Sequence, residues 1–142
     1  MRACRLCGDP ALTTVFVNGT FDILHRGHLD LLNYASSLGD FLVVAIDTDN
    51  RVAELKGPSR PINNQWDRMY MLDNLRMVDS VCLFSTDDEL IEHIKRYDPI
   101  MVKGSDYKDK HIVGAEYCKE IKFYDKTEHS TTRTIQHIID RG

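Results

Sequence analysis

The sequence has no strong excess of one charge, no long apolar run, and little proline or glycine. Its 142 residues include 18 Lys and Arg against 22 Asp and Glu, a net charge of −4. A nucleic-acid binder usually carries a basic face, so this balance argues against one. It does not argue against a single nucleotide, which a few well-placed cations can hold. No apolar run approaches the roughly 20 residues needed to span a bilayer. The opening MRACRLCGDPAL lacks the apolar centre of a secretory signal. A cytoplasmic protein with no membrane partner is expected. Four prolines and eight glycines, none of them clustered at length, leave no candidate linker, repeat or low-complexity segment.

Cysteine is sparse too. Cys82 lies in the apolar stretch VCLF and reads as core, while Cys118 sits among charged residues. Cys4 and Cys7 form a C-x-x-C with no second pair at matching spacing. A zinc site normally needs that second pair, so no protein-held metal is expected. Residues 1–12 read as an N-terminal extension, reduced in the cytosol, and residues 13–142 as one domain.

What is present is an alternation of short apolar runs and helical patterns. Strands are predicted at Thr13–Asn18, Phe41–Ile46, Val81–Phe84, Ile100–Lys103 and near 120–124. The run FLVVAI is apolar throughout, as a parallel strand covered on both faces should be. Helices are predicted at 27–38 (ended by Gly39), at Thr48–Leu55, at Asn63–Val78, at Thr86–Tyr97, near 109–118, and from about 132. Thr86 and Glu89 fit a capping box. Alternation of this kind implies right-handed βαβ crossovers. The expected fold is α/β: a single Rossmann-like domain, an open parallel sheet with helices on both faces. Ligands in such sheets bind beyond the carboxyl ends of the strands, so the residues after each strand carry the functional signal.

The first strand runs into Gly19-Thr20-Phe21-Asp22-Ile23-Leu24-His25-Arg26-Gly27-His28. Two histidines flank a glycine where a loop becomes a helix. A helix start offers free N–H groups and partial positive charge, which suit an anion. Imidazoles there can donate to phosphate oxygens, and Gly27 lets backbone approach closely. Lys56 follows in the loop KGPSRP, with Arg60 after it; Arg68 and Arg76 follow in the next helix, the second about 80° round from the first. A salt bridge to Asp79 is the bland reading of Arg76. Lys103-Gly104-Ser105-Asp106-Tyr107 follows the fourth strand, and Ser130-Thr131-Thr132 precedes the last helix, where hydroxyls can cap it and hold phosphate. His93, His111 and His137 fit no metal spacing and are expected on the surface.

These stretches resemble the H-x-G-H signature of the cytidylyltransferase-like nucleotidyltransferases. That group includes glycerol-3-phosphate and choline-phosphate cytidylyltransferases, and pantetheine-phosphate and heptose-phosphate adenylyltransferases. The likeness runs from about Thr14 to Ile138. GTFDILHRGHLDLL, LKGPSRPIN, Asp67-Arg68 to Val78-Asp79, VKGSDY and the late STT look most like the heptose-phosphate adenylyltransferase domain, and next like glycerol-3-phosphate cytidylyltransferase. No kinase half accompanies them, so a stand-alone transferase is expected.

The resemblance implies a nucleotidyl transfer from an NTP to a phosphorylated small molecule, with release of pyrophosphate. ATP and heptose 1-phosphate are the first pairing; CTP with glycerol 3-phosphate or a similar alcohol phosphate is the alternative. It implies catalytic roles for His25, His28, Lys56 and Arg68. It implies nucleotide contacts from Gly19, Thr20 (as a phosphate donor), Phe21, Asp22, Gly27, Lys103, Gly104, Asp106 (towards ribose), Ser130, Thr131 and Thr132. Asp22 divides evenly between a structural and a near-metal role. Arg76 and Lys126 are the expected acceptor contacts, Lys126 standing where some relatives carry arginine. Mg²⁺ is expected to arrive with the NTP. Relatives are commonly homodimers. A nucleotide-binding regulator without catalysis is the reading of another class, and the intact histidines, Lys56 and Arg68 speak against it.

Overall fold

The structure is a computed structural model and describes residues 11–125 and 130–142. Five strands form one sheet: β1 (Thr14–Gly19), β2 (Phe41–Asp47), β3 (Ser80–Phe84), β4 (Ile100–Gly104) and β5 (Glu120–Tyr124). Their order is β3-β2-β1-β4-β5, and every pairing is parallel. The expected α/β single-domain, Rossmann-like sheet is therefore found. Strand order reverses between β1 and β4, which opens a crevice at their carboxyl ends.

Side chains of β1 alternate between two cores, as the two-residue period of a strand requires. Val15 and Val17 pack with Leu32 and Ala35 of α1 (Arg26–Ser36) and Leu72 of α3 (Gln65–Asp73). Phe16 packs on the other face with Leu90 and Ile94 of α4 (Asp87–Tyr97). β2 is buried along its whole length, which is why its sequence shows no polar alternation. Each fully buried side chain of this size contributes about 1.5–3 kcal/mol.

Helix caps follow side-chain chemistry. Thr48 caps α2 (Asp49–Lys56), Asn64 caps α3, Thr86 caps α4 and Ser130 caps α5 (Thr131–Arg141), each accepting from an amide in the first turn. Thr86 and Glu89 form only half of the expected capping box, because Glu89 turns to the Ser85 amide instead.

Several boundaries differ from expectation. α1 stops at Ser36 with Ser37 as its cap, so Gly39 is not the terminator. A Cβ on Gly39 would lie 2.7 Å from the Thr13 carbonyl, so close passage against β1 is what requires glycine. The helix predicted over Asn63–Val78 ends at Asp73, where Asn74 folds its side-chain amide back onto the Tyr70 carbonyl. The helix predicted near 109–118 is replaced by a single turn at Ala115–Tyr117, and another single turn, Ser105–Tyr107, precedes that span. His93 is half-buried rather than fully exposed, and its Nε2 lies 2.9 Å from the Leu83 carbonyl. Cys4, Cys7 and Lys126 lie outside the described residues.

Candidate active site

The crevice at the switch point holds a cleft of about 480 Å³, a volume suited to a nucleotide. β1 delivers Asn18, Gly19 and Thr20 to it, β2 delivers Asp47, and β4 delivers Lys103 and Gly104. Phe21, Asp22, His25, Gly27 and His28 line it from the β1–α1 loop and the start of α1. Lys56 closes one side from the end of α2, and Ser130, Thr131 and Thr132 arrive from the start of α5.

The two histidines are built into the helix start itself. His25 is the N-cap, and its Nδ1 accepts from the Gly27 amide at 3.1 Å. His28 reaches back, its Nδ1 accepting from the His25 amide at 3.2 Å. The rings stack with centroids 3.8 Å apart and planes 21° from parallel. A neutral imidazole whose Nδ1 accepts must carry its proton on Nε2. Both rings therefore act as Nε2–H donors on the side facing away from the backbone. Burial, then the neighbouring His25, lowers His28 to about 4, so its ring is neutral at pH 7. The loop that leads in is strained: Phe21 and Ile23 take φ of 53° and 49°.

Asp22 is buried and acts as a clamp. Its Oδ2 accepts from the Ile62 amide at 2.6 Å and its Oδ1 from the Asn63 amide at 2.9 Å. Of the two roles expected for it, the structural one matches this geometry. On its other side, the Thr131 hydroxyl donates to the Asp22 carbonyl, which ties the head of α5 to the β1–α1 loop.

Four expectations need correction. Thr20, expected to donate to phosphate, already donates its hydroxyl to Asp47 Oδ2 at 3.0 Å. Arg68, expected against substrate, is 1% exposed. Its Nε bonds the Asn63 carbonyl, Nη1 bonds the Thr20 and Asp47 carbonyls, and Nη2 bonds the Asp49 carboxylate, all within 2.8–2.9 Å. Rather than a wall of the cleft, Arg68 is a strut that locks the ends of β1 and β2 together. Arg76 lies beyond the end of α3 and is exposed, so the helical-wheel argument for it fails. Asp79, its supposed partner, accepts from the Leu42 amide instead. Asp106 is exposed in the turn after β4 and is not among the cleft-lining residues.

Sequence reasoning missed Asp47, Tyr107 and Tyr124, which line the cleft. Asp47 was findable, since it is the last residue of β2 and the carboxyl-end rule applies to it. It bridges Thr20 and Arg51, whose Nε lies 2.9 Å from Asp47 Oδ1 while Nη2 lies 2.8 Å from Asp87. Lys103 lies with its Nζ 5.0 Å from the Tyr107 ring centroid, and burial lowers its pKa against the opposing pull of Asp47. Burial, and then Arg60, also lower that of Lys56. Among the described residues no cluster of three or more His, Cys, Asp or Glu is arranged to hold a metal ion.

A parallel sheet whose switch-point cleft gathers a helix start, two histidines and two lysines fits an enzyme that handles a nucleotide. The chain belongs to the cytidylyltransferase-like family, whose model matches residues 16–136. It is 47% identical over 123 residues to the bifunctional protein HldE of Nitratiruptor sp., covering 85% of this chain and 26% of that protein. With HldE of Aliarcobacter butzleri the identity is 49% over 129 residues, 87% of this chain and 26% of the relative. The chain thus spans about a quarter of the length of these relatives. Among solved structures, the lipopolysaccharide core biosynthesis protein from Thermoplasma volcanium GSS1 aligns with a TM-score of 0.64 at 25% identity, over 84% of this chain and 99% of that one. Among the described residues, no helix is long and apolar enough to cross a membrane.

Proposed function

We propose that this chain transfers an adenylyl group from ATP to a sugar 1-phosphate, heptose 1-phosphate being the first choice, and releases pyrophosphate. The observation that carries the reading is the capping pair His25 and His28, which fixes two neutral donors at a helix start inside a nucleotide-sized cleft. The HldE relatives and the lipopolysaccharide-core neighbour support a sugar acceptor.

The acceptor's phosphate is the nucleophile and is already ionised at neutral pH, so no general base is required. Its oxygen attacks the α-phosphorus, a new P–O bond forms, and the bond from the α-phosphorus to the bridging oxygen breaks. The electron pair leaves with pyrophosphate. His25 and His28 hold triphosphate oxygens through Nε2–H, and Lys56 and Lys103 neutralise charge as it moves towards the leaving group. Neither ring is free to take a proton at Nε2, so they are electrostatic donors and not bases. Mg²⁺ belongs to this reading as part of the nucleotide substrate, held by phosphate oxygens and water. The donor set fits that role, because Asp22 and Asp47 already accept from amides, Thr20 and Arg51.

The reading places the enzyme in the cytoplasm, where NTPs are made. It also favours a homodimer, supported by uncovered apolar residues on α3 (Trp66, Tyr70, Met71) and α5 (Ile138, Ile139). The test is pyrophosphate release from ATP or CTP, each with heptose 1-phosphate or glycerol 3-phosphate. Turnover of ATP with the sugar phosphate supports the reading. Turnover confined to CTP with glycerol 3-phosphate overturns it in favour of the cytidylyltransferase alternative.

A further inference from the structure

Arg60 is the one cation of the α2–α3 loop whose chemistry is unfinished. Its side chain is only 13% exposed. Nε and Nη2 are both sealed from solvent, and neither has a hydrogen-bond partner. The nearest carboxylate is Asp22, with Nε 4.0 Å from Oδ2, too far for a hydrogen bond. Asp22 is also already committed, since each oxygen accepts from a loop amide. Lys56 stands close enough for its own pKa to be lowered by Arg60. Lys56, Arg60 and Asp22 together leave one positive charge in excess beside the cleft.

A buried guanidinium with donors unsatisfied is costly unless something else satisfies it. Arginine's planar fork suits two oxygens of one phosphoryl group. The Arg60 amide bonds the Gly57 carbonyl, and the amides of Ile62 and Asn63 are fixed by Asp22, so the backbone holds Arg60 next to Asp22, which itself lines the cleft.

We propose that Arg60 is an anion-binding residue beside this cleft, whose unpaired Nε and Nη2 take phosphoryl oxygens of the substrate pair once bound substrate displaces the groups that cover them. The proposal rests on the nucleotidyltransferase reading for its substrate, but not on which base or sugar is used. The phosphoryl group belongs either to the nucleotide's pyrophosphate end or to the acceptor. A residue kept for an anion stabilises the ligand-free fold little, whereas one kept to pair Asp22 stabilises it directly.

The test uses the full chain with Arg60→Met and Arg60→Lys, thermal unfolding without ligand, and titration with inorganic pyrophosphate and inorganic phosphate. For Arg60→Met we expect an unfolding midpoint at or above that of the wild type, and anion affinity reduced roughly ten- to hundred-fold. Loss for pyrophosphate with a raised KM for the nucleotide assigns the nucleotide end. Loss for phosphate with a raised KM for the acceptor assigns the acceptor. A lowered midpoint with unchanged anion affinity overturns the proposal and makes Arg60 a partner of Asp22. Should Arg60→Met fail to fold, Arg60→Lys decides: it keeps the charge but not the fork, so weakened anion binding supports the proposal and unchanged binding overturns it. If the wild type turns over none of the tested substrate pairs yet binds pyrophosphate through Arg60, the substrate assignment fails and this inference stands.

Discussion

His25 and His28 cap the same helix reciprocally: each ring's Nδ1 accepts a backbone N–H, and the two rings stack 3.8 Å apart. One arrangement thus ends the loop, starts α1 and sets the tautomer of both proposed donors. Structure and chemistry share this pair, which shapes the first expectation. His28→Ala should lower kcat by on the order of 100-fold or more through loss of a donor. It should also cost about 1 kcal/mol of stability through loss of the cap. His28→Asn, which keeps an acceptor for the His25 amide, should recover the stability and not the rate. Steady-state kinetics beside urea unfolding separates the two.

His28 also sets a pH dependence. Its pKa falls from 6.5 to about 4 on folding, so the unfolded chain binds more protons between those values. Stability from this group is complete above pH 6.5 and is lost as pH falls towards 4. Unfolding midpoints measured across that range should fall with acid more steeply in the wild type than in His28→Asn. Equal slopes would contradict the burial and neighbour effects described for this ring.

Arg68 should behave as a structural element. Arg68→Met leaves the Asn63, Thr20 and Asp47 carbonyls and the Asp49 carboxylate without their donor. Breaking a buried charged network of this kind costs about 3–5 kcal/mol. Arg68→Lys should not rescue it, since one ammonium cannot span four acceptors in the geometry of a fork. Denaturant unfolding checks the size of the loss, and a variant as stable as wild type would refute the strut.

Asp22 should be needed as a carboxylate. Asp22→Asn keeps the shape but offers one oxygen where two amides must be accepted, from Ile62 and Asn63. One amide then faces an NH₂ group, at a cost of about 1–3 kcal/mol. The loop that follows Lys56 and carries Arg60 should loosen, raising the KM for nucleotide. Amide hydrogen exchange at Ile62 and Asn63 reports the loosening directly.

The sequence showed the fold where residue type and period agree. FLVVAI could only be a strand covered on both faces, and the alternation around it required a parallel sheet. It was misleading where side chains intervene: Asn74 turns back on its own helix and ends α3 early, and no propensity pattern announces that. In the site, the H-x-G-H residues, Lys56, Lys103 and the hydroxyls at the start of α5 do meet in one cleft. Thr20 reaches the cleft but spends its hydroxyl on Asp47, and Arg68 and Arg76 lie outside it, because a polar residue near a site can serve its neighbours as easily as a ligand. Only three-dimensional partners, such as Asp47 for Thr20, distinguish the two uses.

The central claim is a single in-line displacement with protein donors and no covalent enzyme intermediate. Transfer from ATP bearing a chiral α-phosphorothioate to the sugar 1-phosphate tests it most directly. The account predicts inversion at the α-phosphorus. Retention would reveal two successive displacements through a protein nucleophile and would contradict it.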